Sequence, residues 1–232
     1  MKTVMSIGYR CSTSALIKNA GLKHESYPFD WLISKLPVVK DCIDTRFAEF
    51  MNDSHYVSIV SPTVNKYDDE VIDRGNQFMA INKFYQAPYG TTDTHSYQLA
   101  MPHNNIHRDR DYYERCILRF YAMLESDQPK LLVYIHPLLG PKEYTQIEPE
   151  TLIEFLDFSA FIRARYTNAT CLFFILVKSL GPAYTCMYNA DSTIIYKLET
   201  NPAVSDYGLI LYGNYHMEQS ILEYLIKHHT AI

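Results

Sequence analysis

The stretch Val4-Met5-Ser6-Ile7-Gly8-Tyr9-Arg10-Cys11-Ser12-Thr13-Ser14-Ala15-Leu16-Ile17 decides the fold. Val4 to Ile7 read as a short apolar strand, and Gly8 supplies a turn. Thr13 to Ile17 begin a helix that ends at Ala20-Gly21, where glycine suits the left-handed cap. A strand running directly into a helix is the first half of a βα unit. Cys11 stands at the helix start, where unpaired N–H groups and the helix dipole favour negative charge. A thiol placed there has its thiolate stabilised, and the thiolate is the nucleophile.

The same alternation recurs outward from this turn. Val38, Val39, Cys42, Ile43, Phe47 and Phe50 fall near helical spacing, so a second helix is expected from Pro37 to Phe50 or Met51. Tyr112, Tyr113, Cys116, Ile117, Phe120, Tyr121 and Leu124 mark an amphipathic helix from Asp109. Leu131 to Ile135 and Cys171 to Val177 are continuous apolar runs, as expected of strands covered on both faces. A helix over Glu150 to Tyr166 separates them. Shorter strands are expected at Thr193–Leu198 and Leu209–Tyr212, and a last helix from Met217 to Lys227. The expected fold is therefore α/β: a mostly parallel sheet with helices on both faces, a three-layer sandwich of Rossmann-like kind. The whole chain, 1–232, reads as a single domain, with 52–108 as an irregular insertion or side layer.

The 232 residues carry 21 Lys and Arg against 26 Asp and Glu, a formal charge of −5, which argues against general nucleic-acid binding. No apolar run approaches the roughly 20 residues of a membrane span. The first residues lead into a strand without a signal-peptide layout. Cys11, Cys42, Cys116, Cys171 and Cys186 are odd in number and widely spaced, with no CxxC pair. That pattern speaks for reduced thiols in a cytosol-like compartment and against a zinc site or disulfide framework. Cys42, Cys116 and Cys171 read as buried, inert thiols; Cys186 lies in a tyrosine-rich loop. Nothing in the sequence calls for a metal or a cofactor.

A thiol hydrolase needs a base beside the nucleophile and a group that orients the base. Sites in parallel sheets gather beyond the carboxyl ends of the strands. Cys11 falls on that rim, and so does His136, after the Leu131–Ile135 strand. His216 follows a later strand near the C-terminus. Asp30, in the rigid Pro28-Phe29-Asp30-Trp31 segment, is a candidate orienter; its plainer role is a turn-forming or capping aspartate before a helix starting at Trp31-Leu32-Ile33. Arg115 and Arg119, one helical turn apart, are spaced to clamp a carboxylate or phosphate. Their plainer role is a solvated stripe beside Asp111 and Glu114.

Ser6-Ile7-Gly8-Tyr9-Arg10-Cys11, then Leu16 and Gly21-Leu22, then Ser26-Tyr27-Pro28-Phe29-Asp30-Trp31-Leu32, resemble the opening block of a family of unknown function, described as a "putative papain-like cysteine peptidase", with members in bacteria and large DNA viruses. Its second block, a His-Asp pair before a helix of the form Y-x-x-R-x-x-R-F, resembles Met101-Pro102-His103-Asn104-Asn105 and Tyr112 to Phe120. Asn104 replaces the family's aspartate. The resemblance implies Cys11 as nucleophile, His103 as its base, and Asp30 or Asn104 as orienter. The opening is also similar to the nucleophile block of SGNH-type hydrolases.

Together these readings point to a cysteine-dependent hydrolase or acyl transferase acting on a peptide or other acyl substrate. The alternatives are a non-catalytic structural or interaction protein on the same scaffold, with protein partners in an assembly such as a virion, and a carbohydrate esterase or transferase. A cytoplasmic setting, the host's if the chain is viral, goes with either.

Overall fold

The computed structural model describes residues 1–9, 11–30, 32–52, 56–61, 77–82, 98–99, 106–136, 147, 149–178, 183–200 and 216–231. The chain opens with β1 (Thr3–Ser6), α1 (Cys11–Asn19), β2 (Leu32–Ile33) and α2 (Leu36–Asp44). Three strands follow: β3 (Tyr56–Ser61), β4 (Gln77–Asn82) and β5 (Gln98–Leu99). Then come α3 (Ile106–Leu124), β6 (Lys130–His136), α4 (Pro149–Arg163) and β7 (Ala169–Lys178). The remaining elements are β8 (Ala183–Ala190), β9 (Thr193–Thr200) and α5 (His216–Ala231). The expected strand at Leu209–Tyr212 lies outside the described residues.

The main sheet has the order β1-β6-β7-β9-β8. The first four are parallel, with Val4 beside Leu131, Leu132 beside Cys171 and Cys171 beside Thr193. β8 runs antiparallel to β9 at the edge, so the sheet is mixed, mostly parallel and of the α/β class. Residues 183–190, expected as a loop holding Cys186, are this edge strand. The hairpin is made by Asp191 and Ser192, both at positive φ (48° and 57°), the primed turn that matches strand twist. Local composition hid it, because the strand's side chains are nearly all exposed and show no alternation.

Alternate side chains of a strand face opposite ways. Leu132 and Tyr134 of β6 belong to one apolar cluster with residues of α2, α3 and α4. Leu131, Val133 and Ile135 belong to another with Leu16 and Ile17 of α1 and Leu222, Leu225 and Ile226 of α5. That division explains why the sequence of β6 is apolar throughout rather than alternating.

α1 closes as its sequence predicts. Gly21 has φ +73°, its N–H donates to the Lys18 carbonyl, and the Leu22 N–H donates to Ile17. α2 ends earlier than expected, at Asp44. Arg46 and Phe47 take φ of 52° and 62°, and the Phe47 N–H returns to the Cys42 carbonyl at 2.7 Å. The turn directs the fully buried Phe47 ring against Phe29 (5.3 Å) and Phe120 (6.1 Å). Burying such a ring is worth about 2–3 kcal/mol, and this tertiary gain outweighs continuation of the helix. Phe29, in the same cluster, is core.

A second, antiparallel sheet has the order β2-β5-β4-β3, with Leu32 opposite Leu99 and Ile59 opposite Met79. Leu32-Ile33 is thus a strand, not the helix start expected after Asp30. Its pairing with β5, far along the chain, decides this. Ser34, next in sequence, bridges to Tyr9, so the second sheet begins beside the β1–α1 turn. No described helix is long and apolar enough to cross a membrane.

Candidate functional site at the rim of the main sheet

The β1–α1 turn is held from several sides. The Ile7 N–H donates to the Val133 carbonyl, and the Ile135 N–H donates to the Gly8 carbonyl at 3.4 Å. The Thr13 hydroxyl donates to that same carbonyl at 2.6 Å. The Ser34 N–H donates to the Tyr9 carbonyl at 2.9 Å. Gly8 has φ +105°, and a Cβ on it would lie 2.5 Å from Ser34 Oγ and 2.8 Å from the Ser34 carbonyl oxygen. Glycine is therefore required for geometry, and the close approach it permits belongs to the protein's own strand-to-strand contact. The turn delivers Cys11 as the first residue of α1. The Cys11 side chain lies outside the described atoms.

His136 is the last residue of β6, on the same rim. Its ring lies 6.4 Å from that of Tyr9 and 6.1 Å from that of Phe155. Burial first, then the field of Lys35, pushes its pKa down to about 4. The imidazole is neutral near pH 7 and keeps a lone pair. Lys35 also opposes the upward push that burial gives Glu154, on the facing side of α4. Burial, with Glu154 behind it, raises the Tyr134 phenol well above its usual range. Neither Lys35 nor Glu154 has a local sequence motif; the approach of the start of α2 to α4 places Lys35 where its field reaches both His136 and Glu154.

His216 opens α5. The Lys2 N–H donates to the Thr230 carbonyl at the far end of this helix, and Glu218 meets Thr200 at the end of β9. The start of α5 therefore lies at the rim, although the His216 side chain is outside the described atoms. His103 and Asn104 lie outside the described residues.

Asp30 is buried, at 2 % exposure. Its Oδ2 accepts from Lys23 Nζ at 2.6 Å and from the Tyr27 N–H at 2.8 Å. Lys23 also donates to Ser14 on α1. Burial raises the Asp30 pKa, while Lys23 and the Tyr27 N–H pull it back. The carboxylate thus ties the 23–30 loop to α1, three residues beyond Cys11. The turn-forming role anticipated for Asp30 is what these bonds perform. Arg115 is exposed, and Arg119, one turn on, is half-buried. Glu114 is engaged by Arg110 at 3.1 Å.

The fold and rim define an α/β protein with a cysteine at the first βα turn and a neutral histidine on the adjoining strand. The sequence profile of the family described as "Putative papain-like cysteine peptidase" matches residues 2–177, from β1 through nearly all of β7. The chain belongs to that family. No curated protein and no solved structure matches it.

Proposed function

We propose that the chain is a cysteine-dependent hydrolase acting on peptide bonds, with Cys11 as nucleophile and His136 as its base. The observation that carries this reading is the contact between His136 and Tyr9, which holds the imidazole at the turn that leads into Cys11. Membership of the family supports the thiol chemistry and the peptide class of substrate.

The neutral imidazole takes the Cys11 proton as the sulfur attacks the carbonyl carbon. The first N–H groups of α1 receive the oxyanion. The imidazolium then gives its proton to the departing amine, leaving a thioester. Water, deprotonated by the imidazole, attacks the thioester; the acid leaves and the thiol regains its proton. Asp30 serves as a positioning residue through Lys23 and Ser14. His103, with Asn104, is the competing base; Arg115 and Arg119, on α3, take no step in this chemistry.

The test is the rate of alkylation by iodoacetamide, followed thiol by thiol. Cys186, exposed on β8, is the internal reference. At pH 6 Cys11 should react at least about tenfold faster than Cys186. In a peptide-library assay, His136→Gln should abolish turnover and His103→Gln should leave it. Equal rates for the two thiols would overturn the nucleophile. The reverse pattern in the two variants would transfer the base to His103. A reactive Cys11 with no turnover of any peptide library would favour a binding role on this scaffold.

A further inference from the structure

We propose that a cavity between α1, the 22–26 loop and α3 binds a small anion through a phosphate or carboxylate group. The cavity has a volume of about 530 Å³ and is lined by Lys18, Lys23, His24, Glu25, Ser26 and Arg119. It is distinct from the rim: Lys18 is seven residues beyond Cys11, about 10 Å of helix rise.

Three cations from three separate elements converge there; Asp30 offsets Lys23 from behind, and Glu25 is the one carboxylate in the lining, against Lys18 and Arg119. The chain as a whole is acidic, at −5, so this concentration of positive charge runs against its composition. Two features distinguish it from a chance cluster of surface lysines. Lys23 is held in place: its side chain is only 13 % exposed, and its ammonium is fixed by Ser14 and by the buried Asp30. Orienting a long cationic side chain in advance removes the ordering cost a ligand would otherwise meet. Among the described residues, Lys18 and Arg119 have no ion-pair partner. Arg119 offers a planar fork suited to two oxygens of a carboxylate or phosphate, and Lys18 adds a point charge. The volume exceeds that of a bare ion and falls within the range of small-molecule sites.

The proposal stands independently of Cys11 chemistry, and its test reads binding alone. Calorimetric titrations at low ionic strength would use inorganic phosphate in one arm and glutarate in the other, so that the preferred oxyanion is identified. At least one should bind with a Kd below about 1 mM, and Arg119→Ala should weaken it at least about tenfold. Lys18→Ala, at an exposed position, should weaken it about threefold or more with the fold unperturbed. Arg115→Ala, on the same helix but outside the cavity, should leave Kd within about twofold. No binding of either anion, or equal losses in the Arg115 and Arg119 variants, would overturn the site. Cys11→Ala should bind as the wild type does, whatever becomes of its hydrolase activity.

Discussion

The His136 and Tyr9 rings meet at 6.4 Å between centroids, their planes 60° apart. This contact joins the last residue of β6 to the turn that follows β1, two strands that pair in parallel although separated by more than a hundred residues. It also closes one side of the imidazole, Phe155 closing another at 6.1 Å.

That enclosure predicts how His136 titrates. Burial holds its pKa near 4, against an ordinary value of 6.5. In the unfolded chain it takes its proton near 6.5, so between those values the unfolded state binds more protons and folding weakens as pH falls. The stabilisation is complete above the unfolded value and lost on descending through about 4. Chemical-denaturation curves should show this acid-side loss in the wild type, and His136→Gln should flatten it. An NMR titration in which the imidazole protonates near 6.5 would contradict the enclosure.

Gly8→Ala should destabilise strongly. The added Cβ meets Ser34 Oγ at 2.5 Å and the Ser34 carbonyl at 2.8 Å, at φ +105°. The backbone conformation alone costs an alanine about 1–3 kcal/mol. Adding Ser34→Gly removes the hydroxyl but not the carbonyl, so stability should be recovered only in part. Full recovery in the double variant would show that the hydroxyl alone sets the limit.

Lys23→Met should cost more than Asp30→Asn at pH 7. The first leaves a carboxylate at 2 % exposure without its cation, a loss of about 3–5 kcal/mol. The second leaves a lysine with partial access to water. Without Lys23 the Asp30 pKa, already raised by burial, rises further, so acidification should restore stability to Lys23→Met by neutralising the carboxyl. A defect in Lys23→Met that does not change with pH would count against this account.

Lys130 is wholly buried, and its ammonium donates to the carbonyls of Leu124 (3.0 Å), Ser126 (2.5 Å) and Thr167 (3.0 Å). It gathers the end of α3 and the approach to β7 onto the start of β6. Lys130→Met keeps the side chain's apolar stem but strands these carbonyls, and should lower stability by about 3 kcal/mol. Arg46→Ala removes an exposed pair with Glu125 and should change stability far less in the same assay. Equal effects of the two would show that burial of the Lys130 network is immaterial.

Much of the candidate site is legible in the chain itself. The cysteine after a short apolar strand, the glycine before it and the glycine cap at Gly21 are local signals, and the structure realises the last two in φ and hydrogen bonds. The continuous apolar runs of β6 and β7 likewise announced strands buried on both faces. The rest depended on distant partners. Lys23 and Asp30 share a loop, but their burial beside Ser14 needs α1 to pack over them.

Sequence alone determined which segments form the central strands and helices, because periodicity and capping act within a few residues. Tertiary structure decided the pairing of β2 with β5, the exposed edge at β8, the early end of α2 and the meeting of His136 with Tyr9. Those features arise from contacts across long stretches of chain, where burial and strand register outweigh local preference.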